Sequence, residues 1–328
     1  MNFSKTNLNL KVVLEFVQKI TDGNFKAISK AISLVENEHD EAKELLKKIY
    51  KYTGKAYKVG ITGPPGAGKS TLVFQLTKLL RNEGKKVGII AVDPTSPFTG
   101  GSLLGDRVRM SELALDDGVF IRSMATRGSL GGLSKKAIEA GDILDAAGFD
   151  YVIFETVGVG QSELDIVKAA DTVVVVLVPE SGDSIQAMKA GLMEIADIFV
   201  LNKSDREGAD IAANAIKSVL SFRMRKDEWE VEVIKTIGNA GFGVDTLLNQ
   251  IKKHRDFLFR TGEFEKRRKE KLKSKIKEIV EERLRENFWT RDRVKLLDER
   301  ISSITNSHIN PIEIAEELIA HFYQQNSL

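Results

Sequence analysis

A glycine-rich motif between an apolar run and a helical pattern is the feature that most constrains the fold of this chain. The motif GxxxxGKS occupies residues 63–70, directly after the apolar residues 59–62, and Leu72 and Leu76 follow at helical spacing. Glycines let backbone amides surround a phosphate chain, and the start of a helix adds partial positive charge at that point. A strand, a glycine-rich loop and a helix in this order predict a phosphate-binding loop in an α/β fold.

The loop sequence also predicts how phosphates are bound. The Lys69 ammonium group is expected along the β- and γ-phosphates, and the Ser70 hydroxyl group is expected to be a ligand of Mg²⁺. Pro64 and Pro65 have no amide hydrogen, so the later amides of the loop must bind the anion. The predicted phosphate-binding residues are Gly63, Gly66, Ala67, Gly68, Lys69, Ser70 and Thr71.

Length and composition exclude several classes of protein. A chain of 328 residues is long enough for one α/β domain of about 200 residues with helical extensions. The 49 basic and 47 acidic residues nearly balance, which argues against nucleic acid or an anionic membrane as the main partner. The absence of cysteine excludes disulfides and thiolate chemistry. No secretory signal and no apolar run of about 20 residues is found, so a soluble cytoplasmic protein is expected.

Hydrophobic periodicity predicts three parts. Residues 1–54 form a helical N-terminal extension, residues 55–259 a P-loop NTPase domain, and residues 260–328 a C-terminal helical arm. The middle part alternates short apolar runs with helical patterns, which predicts a mostly parallel central sheet flanked by helices. After the first strand, the predicted strands are 86–92, 119–123, 149–155, 171–178, 198–201 and 231–237.

An acidic residue ends one of these strands. Glu155 occupies the Walker-B position, where a carboxylate holds Mg²⁺ directly or through water. Residues 155–163, ETVGVGQSE, resemble the switch II segment of G proteins, with the Gly158 amide available to a γ-phosphate. Val159 stands where many G proteins have a glutamine that positions the attacking water, so slow intrinsic hydrolysis is expected. Gln161 could take that role, but the sequence alone does not place it.

A second motif predicts the base. Asn202, Lys203 and Asp205 form an Asn-Lys-x-Asp sequence directly after the strand 198–201. A carboxylate at position 205 can accept two hydrogen bonds from the N1–H and the amino group of guanine, and adenine has no such pair of donors. The loop containing Ile237 and Gly238 is expected to back the guanine ring. The sequence therefore predicts a site for GTP and GDP.

Two further loops and one long helical segment have distinctive sequences. Residues 93–109 and 179–189 combine glycine or proline with charged side chains, which is typical of loops that respond to a nucleotide; the first is a switch I candidate. The segment 260–287 is highly charged with a narrow apolar stripe at Leu272, Ile276 and Leu284. Such a stripe requires a second helix, so we expect the arm to mediate self-association.

Together these strings resemble a known family, the MeaB/ArgK-type GTPases. The resemblance is carried by GITGPPGAGKST, VDPTS, TGGSLLGD, RGSLGG, ETVGVGQSE and NKSD, and it covers almost the whole chain. Members are G-protein chaperones of adenosylcobalamin-dependent acyl-CoA mutases, chiefly methylmalonyl-CoA mutase. The resemblance implies a homodimer that hydrolyses GTP and couples the nucleotide state to cofactor loading, protection and repair of a mutase, with an adenosyltransferase as a further candidate partner.

The resemblance also implies site residues. Asp93, Asp106 and Glu155 fall on acidic positions around Mg²⁺, beside Ser70. The loop 179–189 falls on an additional switch that senses the partner. The candidate catalytic residues are Lys69, Asp106, Glu155, Gln161 and Lys189.

Two other functions share parts of this pattern. A nickel-inserting metallochaperone GTPase needs metal ligands, and a chain without cysteine and with four dispersed histidines offers few. A protein kinase of an amino-acid transport system needs a base for its acceptor group, and no residue beyond the acids near Mg²⁺ suggests one. Neither the type of mutase nor the geometry of a dimer follows from the sequence.

Overall fold

The computed structural model describes residues 3–93, 112–113, 115–125, 135–156, 162–181, 190–221, 229–302 and 310–326. Its centre is a seven-stranded sheet in the order β3-β2-β4-β1-β5-β6-β7, and every pairing is parallel. This confirms the predicted P-loop NTPase architecture. The strands are β1 (Tyr57–Thr62), β2 (Val87–Asp93), β3 (Val119–Ala125), β4 (Tyr151–Glu155), β5 (Thr172–Leu177), β6 (Ile198–Leu201) and β7 (Val233–Lys235).

Twelve α-helices have both bounds within the described residues, besides three short 3-10 helices. Three of them precede the sheet, as the periodicity predicts, and the remainder alternate with strands or follow β7. They are α1 (Phe3–Thr21), α2 (Phe25–Glu36), α3 (Asp40–Ile49), α4 (Lys69–Asn82), α5 (Lys135–Ala146), α6 (Ser162–Ala169), α7 (Ala190–Ile195), α8 (Ala209–Ser221), α9 (Val244–Thr261), α10 (Glu263–Phe288), α11 (Arg291–Ser302) and α12 (Pro311–Asn326).

Helices cover both faces of the sheet, so its strands are buried on both sides. Helices α4 and α9 pack on one face, and α5 to α8 pack on the other, where α2 and α3 add an outer layer over α5. Gly60 in β1 permits the close approach of α6, because a Cβ there would lie 2.5 Å from the Ile166 side chain. The β-branched run of β5 is fully buried, as expected for a central parallel strand.

The chain divides into two compact units, Met1–Glu265 and Lys266–Leu328. In the second unit, Arg293 is 2 % exposed, lies over the rings of Phe288 and Phe322, and donates to the backbone oxygen of Asn287 at 2.6 Å. Helix α12 begins at an asparagine cap, since the side chain of Asn310 accepts a hydrogen bond from the amide of Ile312. The three-part domain division expected from the sequence stays a prediction. No helix in the described part of the chain is long and apolar enough to cross a membrane.

Candidate functional site

The glycine-rich loop connects β1 to α4 at the carboxyl edge of the sheet. Gly63 has φ 135°, and a Cβ at this position would lie 2.0 Å from the backbone oxygen of Val176 in β5. Gly68 has φ 88° and caps α4, and a Cβ there would lie 2.3 Å from the Asn202 side chain. Only glycine fits these two places, and the loop leads directly into the start of α4, the kind of helix end at which proteins commonly bind anions.

Lys69 is the first residue of α4, and its ammonium group is held at the loop. The side chain is 5 % exposed, and Nζ donates to the backbone oxygens of Gly63 at 2.8 Å and Pro64 at 2.9 Å. A buried cation at the rim of a loop of amides produces a positive local potential. The arrangement suits a polyphosphate.

Ser70 and Glu155 supply oxygen atoms to the same place from two different elements. Glu155 ends β4 and is 6 % exposed, and its Oε1 accepts a hydrogen bond of 2.5 Å from Ser70 Oγ. A hydroxyl and a carboxylate are ligands that Mg²⁺ prefers, and Mg²⁺ commonly binds through one or two carboxylates together with phosphate oxygens and water. The donor set therefore fits Mg²⁺. In the described ranges, no three His, Cys, Asp or Glu side chains group closely enough to hold a metal by themselves.

Asn202 joins three loops at the carboxyl edge. Its side chain is buried, and Nδ2 donates to the backbone oxygen of Ala67 in the phosphate loop at 2.8 Å. Its Oδ1 accepts hydrogen bonds of 3.0 Å from the Thr236 hydroxyl and from the Gly238 amide. The Asn-Lys-x-Asp motif is thereby fixed to both the phosphate loop and the loop after β7.

The next residues of this motif form a turn in which Lys203 and Ser204 are half-buried. Lys203 has φ 58°, uncommon for a residue with a side chain, and the Ser204 amide donates to the backbone oxygen of Thr236 at 3.1 Å. The side chain of Asp205 is exposed. A carboxylate presented in this way is accessible to an external hydrogen-bond donor.

The structure brings most of the predicted residues together at one edge of the sheet. The residues that lie in or beside the loops after β1, β4, β6 and β7 are Gly63, Gly66, Ala67, Gly68, Lys69, Ser70, Thr71, Glu155, Asn202, Lys203, Asp205, Ile237 and Gly238. Asp93 ends β2, but its side chain is outside the described part. Asp106, Gly158, Gln161 and Lys189 lie outside the described residues, so their roles stay predictions.

Sequence reasoning missed a pair of threonines at this edge. Thr156 Oγ1 donates to Thr62 Oγ1 at 2.8 Å, and the two side chains are 1 % and 0 % exposed. Each threonine is next to a residue of the site, because Thr62 precedes Gly63 and Thr156 follows Glu155. Their signal in the sequence is only a hydroxyl residue at the end of each of two apolar runs.

Comparisons with known proteins agree with this geometry. The family profile described as methylmalonyl Co-A mutase-associated GTPase MeaB matches residues 28–293. The protein PH0274 of Pyrococcus horikoshii, named for GTPase activity, is 55% identical over 269 residues, which cover 81% of this chain and 85% of that protein. The GTPase ArgK of Escherichia coli is 36% identical over 313 residues, covering 93% and 95% of the two chains.

A solved structure shows the same similarity in three dimensions. The crystal structure of a LAO/AO transport system kinase superposes with a TM-score of 0.72 at 30% identity, covering 96% of this chain and 98% of that one. The profile spans most of the chain, and it agrees with the resemblance that the motifs carry. The relatives are named for GTP hydrolysis, and the phosphate loop and the Asn-Lys-x-Asp motif that such an activity requires are side by side in the fold. The chain belongs to the MeaB family and is a nucleotide-binding GTPase with the P-loop NTPase fold.

Proposed function

We propose that this GTPase is a nucleotide-dependent chaperone of an adenosylcobalamin-dependent acyl-CoA mutase of the methylmalonyl-CoA mutase type. One observation carries the proposal, namely that the profile of a mutase-associated GTPase family matches residues 28–293. The match includes the whole nucleotide site and part of the C-terminal helices. That association supports the proposed role in cofactor loading and protection, and an adenosyltransferase is a candidate third component.

Guanine selection is assigned to Asp205, with Asn202 and Lys203 as supporting residues. The Asp205 carboxylate would accept hydrogen bonds from N1–H and the 2-amino group of guanine. Asn202 fixes the motif to the phosphate loop through the backbone oxygen of Ala67. Ile237 and Gly238 would lie behind the base, since the Gly238 amide is bonded to the Asn202 side chain.

The phosphates and Mg²⁺ would be bound at the other end of the site. Ser70 and Glu155 are the proposed Mg²⁺ ligands, with Asp93 and Asp106 as additional acids around the ion. When bound, the ion neutralises charge on the β- and γ-phosphates. Lys69 would contact those phosphates, because its buried ammonium group lies at the loop.

Hydrolysis would be connected to the partner through the segments that follow β2, β4 and β5. We assign the γ-phosphate contact to the Gly158 amide, orientation of the attacking water to Gln161, and a partner-dependent contact to Lys189. A γ-phosphate and its Mg²⁺ hold such segments in one arrangement in other GTPases, and hydrolysis releases them. The output would be a change in affinity for the mutase, with weak basal turnover that the mutase raises.

A homodimer in the cytoplasm is the proposed state of the protein. Helix α10 carries Leu272, Ile276, Val280 and Leu284 at a spacing of four residues, and all four are at least 40 % exposed. A stripe of this kind on a helix of 26 residues suits a second copy of the same arm.

The test is capture and turnover with a purified mutase. We expect the full chain to bind methylmalonyl-CoA mutase with an affinity that differs between GDP and a non-hydrolysable GTP analogue, and GTP hydrolysis to rise at least about tenfold in the complex. Lys69→Ala should abolish both effects, because it removes the cation that contacts the phosphates. Equal mutase affinity in both nucleotide states, together with unchanged turnover, would contradict the proposal.

A kinase is the second candidate, because the protein of the similar solved structure is named a transport system kinase. The two functions differ in where the γ-phosphate goes. The protein is incubated with γ-labelled GTP and a periplasmic amino-acid-binding protein. If it is a GTPase switch, the label should appear as free inorganic phosphate. Stable label on the binding protein would favour the kinase.

A further inference from the structure

We propose that Thr62 and Thr156 are positioning residues, whose hydroxyl pair holds the Glu155 carboxylate beside Ser70 and thereby sets the affinity of the site for Mg²⁺. The inference rests on the proposed Mg²⁺ site and adds to it two residues that are not among the proposed ligands of the nucleotide or the ion. Thr62 is the last residue of β1, and Thr156 directly follows the neighbouring strand β4.

The geometry begins with the register of β1 and β4. Ile61 is paired with Glu155, and the Thr156 amide donates to the backbone oxygen of Ile61 at 3.1 Å. One residue further along, the Thr156 hydroxyl donates to the Thr62 hydroxyl at 2.8 Å. The side-chain bond therefore extends the contact between the strands by one residue beyond the backbone ladder.

This extension lies between the two halves of the proposed metal site. Thr62 is followed by Gly63 and the phosphate loop, which leads to Ser70 at the start of α4. Thr156 directly follows Glu155, whose Oε1 accepts the hydrogen bond from Ser70 Oγ at 2.5 Å. Movement of the end of β1 relative to the end of β4 would change the distance between Ser70 Oγ and Glu155 Oε1. The threonine pair opposes that movement.

The pair is polar, whereas the residues of β5 beside the end of β1 are apolar. Both side chains are essentially inaccessible, and the strand beside β1 is a run of four valines in β5. Valine has a similar shape to threonine and fits a buried parallel strand, whereas a buried hydroxyl group costs free energy unless it is hydrogen-bonded. Two valines would fill the same volume. Two hydroxyl groups also form a directional hydrogen bond, which fixes the relative position of the two residues.

The experiment measures Mg²⁺ dependence of nucleotide binding rather than turnover. Affinity of the full chain for a fluorescent, non-hydrolysable GTP analogue is titrated over a range of Mg²⁺ concentrations. For Thr156→Val, we expect the Mg²⁺ concentration at half effect to rise at least about tenfold, the range seen when residues behind metal ligands are changed. Affinity without Mg²⁺ should stay within about twofold, and Thr156→Ser, which retains the hydroxyl, should stay near the wild-type value.

Substitution of the second threonine, alone and together with the first, tests whether the two hydroxyl groups act as a pair. Thr62→Val should shift the Mg²⁺ dependence as Thr156→Val does, and the double variant should shift it no further, because each single change already removes the bond. Thr62→Val carries the same test if Thr156→Val does not fold. Additive shifts in the double variant would overturn the proposed pair.

Two further variants make the outcomes distinguishable. Thr77→Val is the matched control, because Thr77 is also fully buried and its hydroxyl donates to the backbone oxygen of Val73 within α4 at 2.7 Å; it should leave the Mg²⁺ dependence unchanged. Glu155→Gln should raise the Mg²⁺ concentration at half effect strongly. No shift in Glu155→Gln would refute the Mg²⁺ site itself. A shift in Glu155→Gln without one in Thr156→Val, or an equal shift in Thr77→Val, would refute the positioning role alone.

Discussion

At the scale of single residues, the Asn-Lys-x-Asp motif combines a buried side-chain amide with an exposed carboxylate. Asn202 is bonded at both ends of its side-chain amide, to Ala67 on one side and to Thr236 and Gly238 on the other. The Asp205 side chain, three residues later, is exposed at the surface. The first residue therefore fixes the loop, and the second is accessible to a ligand.

This difference leads to a prediction for Asp205→Asn. The amide cannot accept from both guanine donors, so we expect GTP affinity to fall at least about 100-fold and the preference for GTP over ATP to diminish. Xanthosine triphosphate has a carbonyl oxygen in place of the 2-amino group, and the amide group introduced by the substitution could donate to it, so its affinity should rise. Nucleotide titration by calorimetry measures all three affinities.

A matched control is Asp210→Asn, which makes the same chemical change at an exposed residue of α8 paired with Lys235. It should leave all three affinities unchanged. If Asp205→Asn kept the full preference for GTP over ATP, the assignment of the base to this carboxylate would be wrong.

At the scale of secondary-structure elements, the sequence predicts the strands better than their contacts. The P-loop and the Asn-Lys-x-Asp motif are contiguous in the chain, so their spacing is visible in the sequence. The bond between Thr62 and Thr156 joins residues 94 positions apart, and the bond from Asn202 to Ala67 spans 135 positions. Such contacts depend on strand order and register. A single sequence does not encode these as a local pattern.

The contact between α5 and the segment before β1 is another link of this kind. Asp145 of α5 is 1 % exposed, and its carboxylate accepts backbone hydrogen bonds of 2.8 to 3.0 Å from Gly54, Lys55 and Ala56. Lys58 Nζ lies 2.7 Å from Asp142 Oδ1 and 3.9 Å from Asp145 Oδ2. One helix thus anchors the connection between the N-terminal helices and the first strand.

The charge of Lys58 is maintained by these acids. Burial alone would lower the pKa of the ammonium group, but the neighbouring Asp142 and Asp145 carboxylates outweigh it, and the pKa of Lys58 is raised. Since the pKa in the folded state exceeds that of the unfolded chain, this stabilisation is fully present below the ordinary lysine pKa. It is lost only as the pH rises through the folded-state value. Near neutral pH the group therefore contributes fully to stability.

From this arrangement we predict the effect of Asp145→Ala. The change removes the shared acceptor of three backbone amides, of which the Ala56 amide is buried, and removes one of the acids near Lys58. We therefore expect the free energy of unfolding to fall by about 2–4 kcal/mol. Urea unfolding at neutral pH measures the loss. Glu44→Ala is the comparison, because Glu44 and Lys47 form an exposed pair and such pairs contribute little. A loss below about 1 kcal/mol for Asp145→Ala would contradict the anchoring role.

At the scale of the whole molecule, the two compact units differ in how their apolar residues are covered. The first has a core on both faces of the sheet, built from α4 and α9 on one side and α5 to α8 on the other. In the second, Leu318 is buried, whereas the stripe on α10 is exposed along its length. An exposed apolar stripe on a charged helix is consistent with association between copies of the chain.

The proposed dimer predicts that charge on this stripe produces monomers. Two carboxylates placed in an apolar interface by Ile276→Glu and Val280→Glu should cost about 3 kcal/mol or more, which raises the dissociation constant at least about 100-fold. Lys277→Glu is the matched control, because it changes the net charge by the same −2 at an exposed position off the stripe. Sedimentation equilibrium at several concentrations would give both constants. A wild-type chain that is already monomeric, or a control that dissociates to the same extent, would refute the arm as the dimer interface while leaving the nucleotide site unaffected.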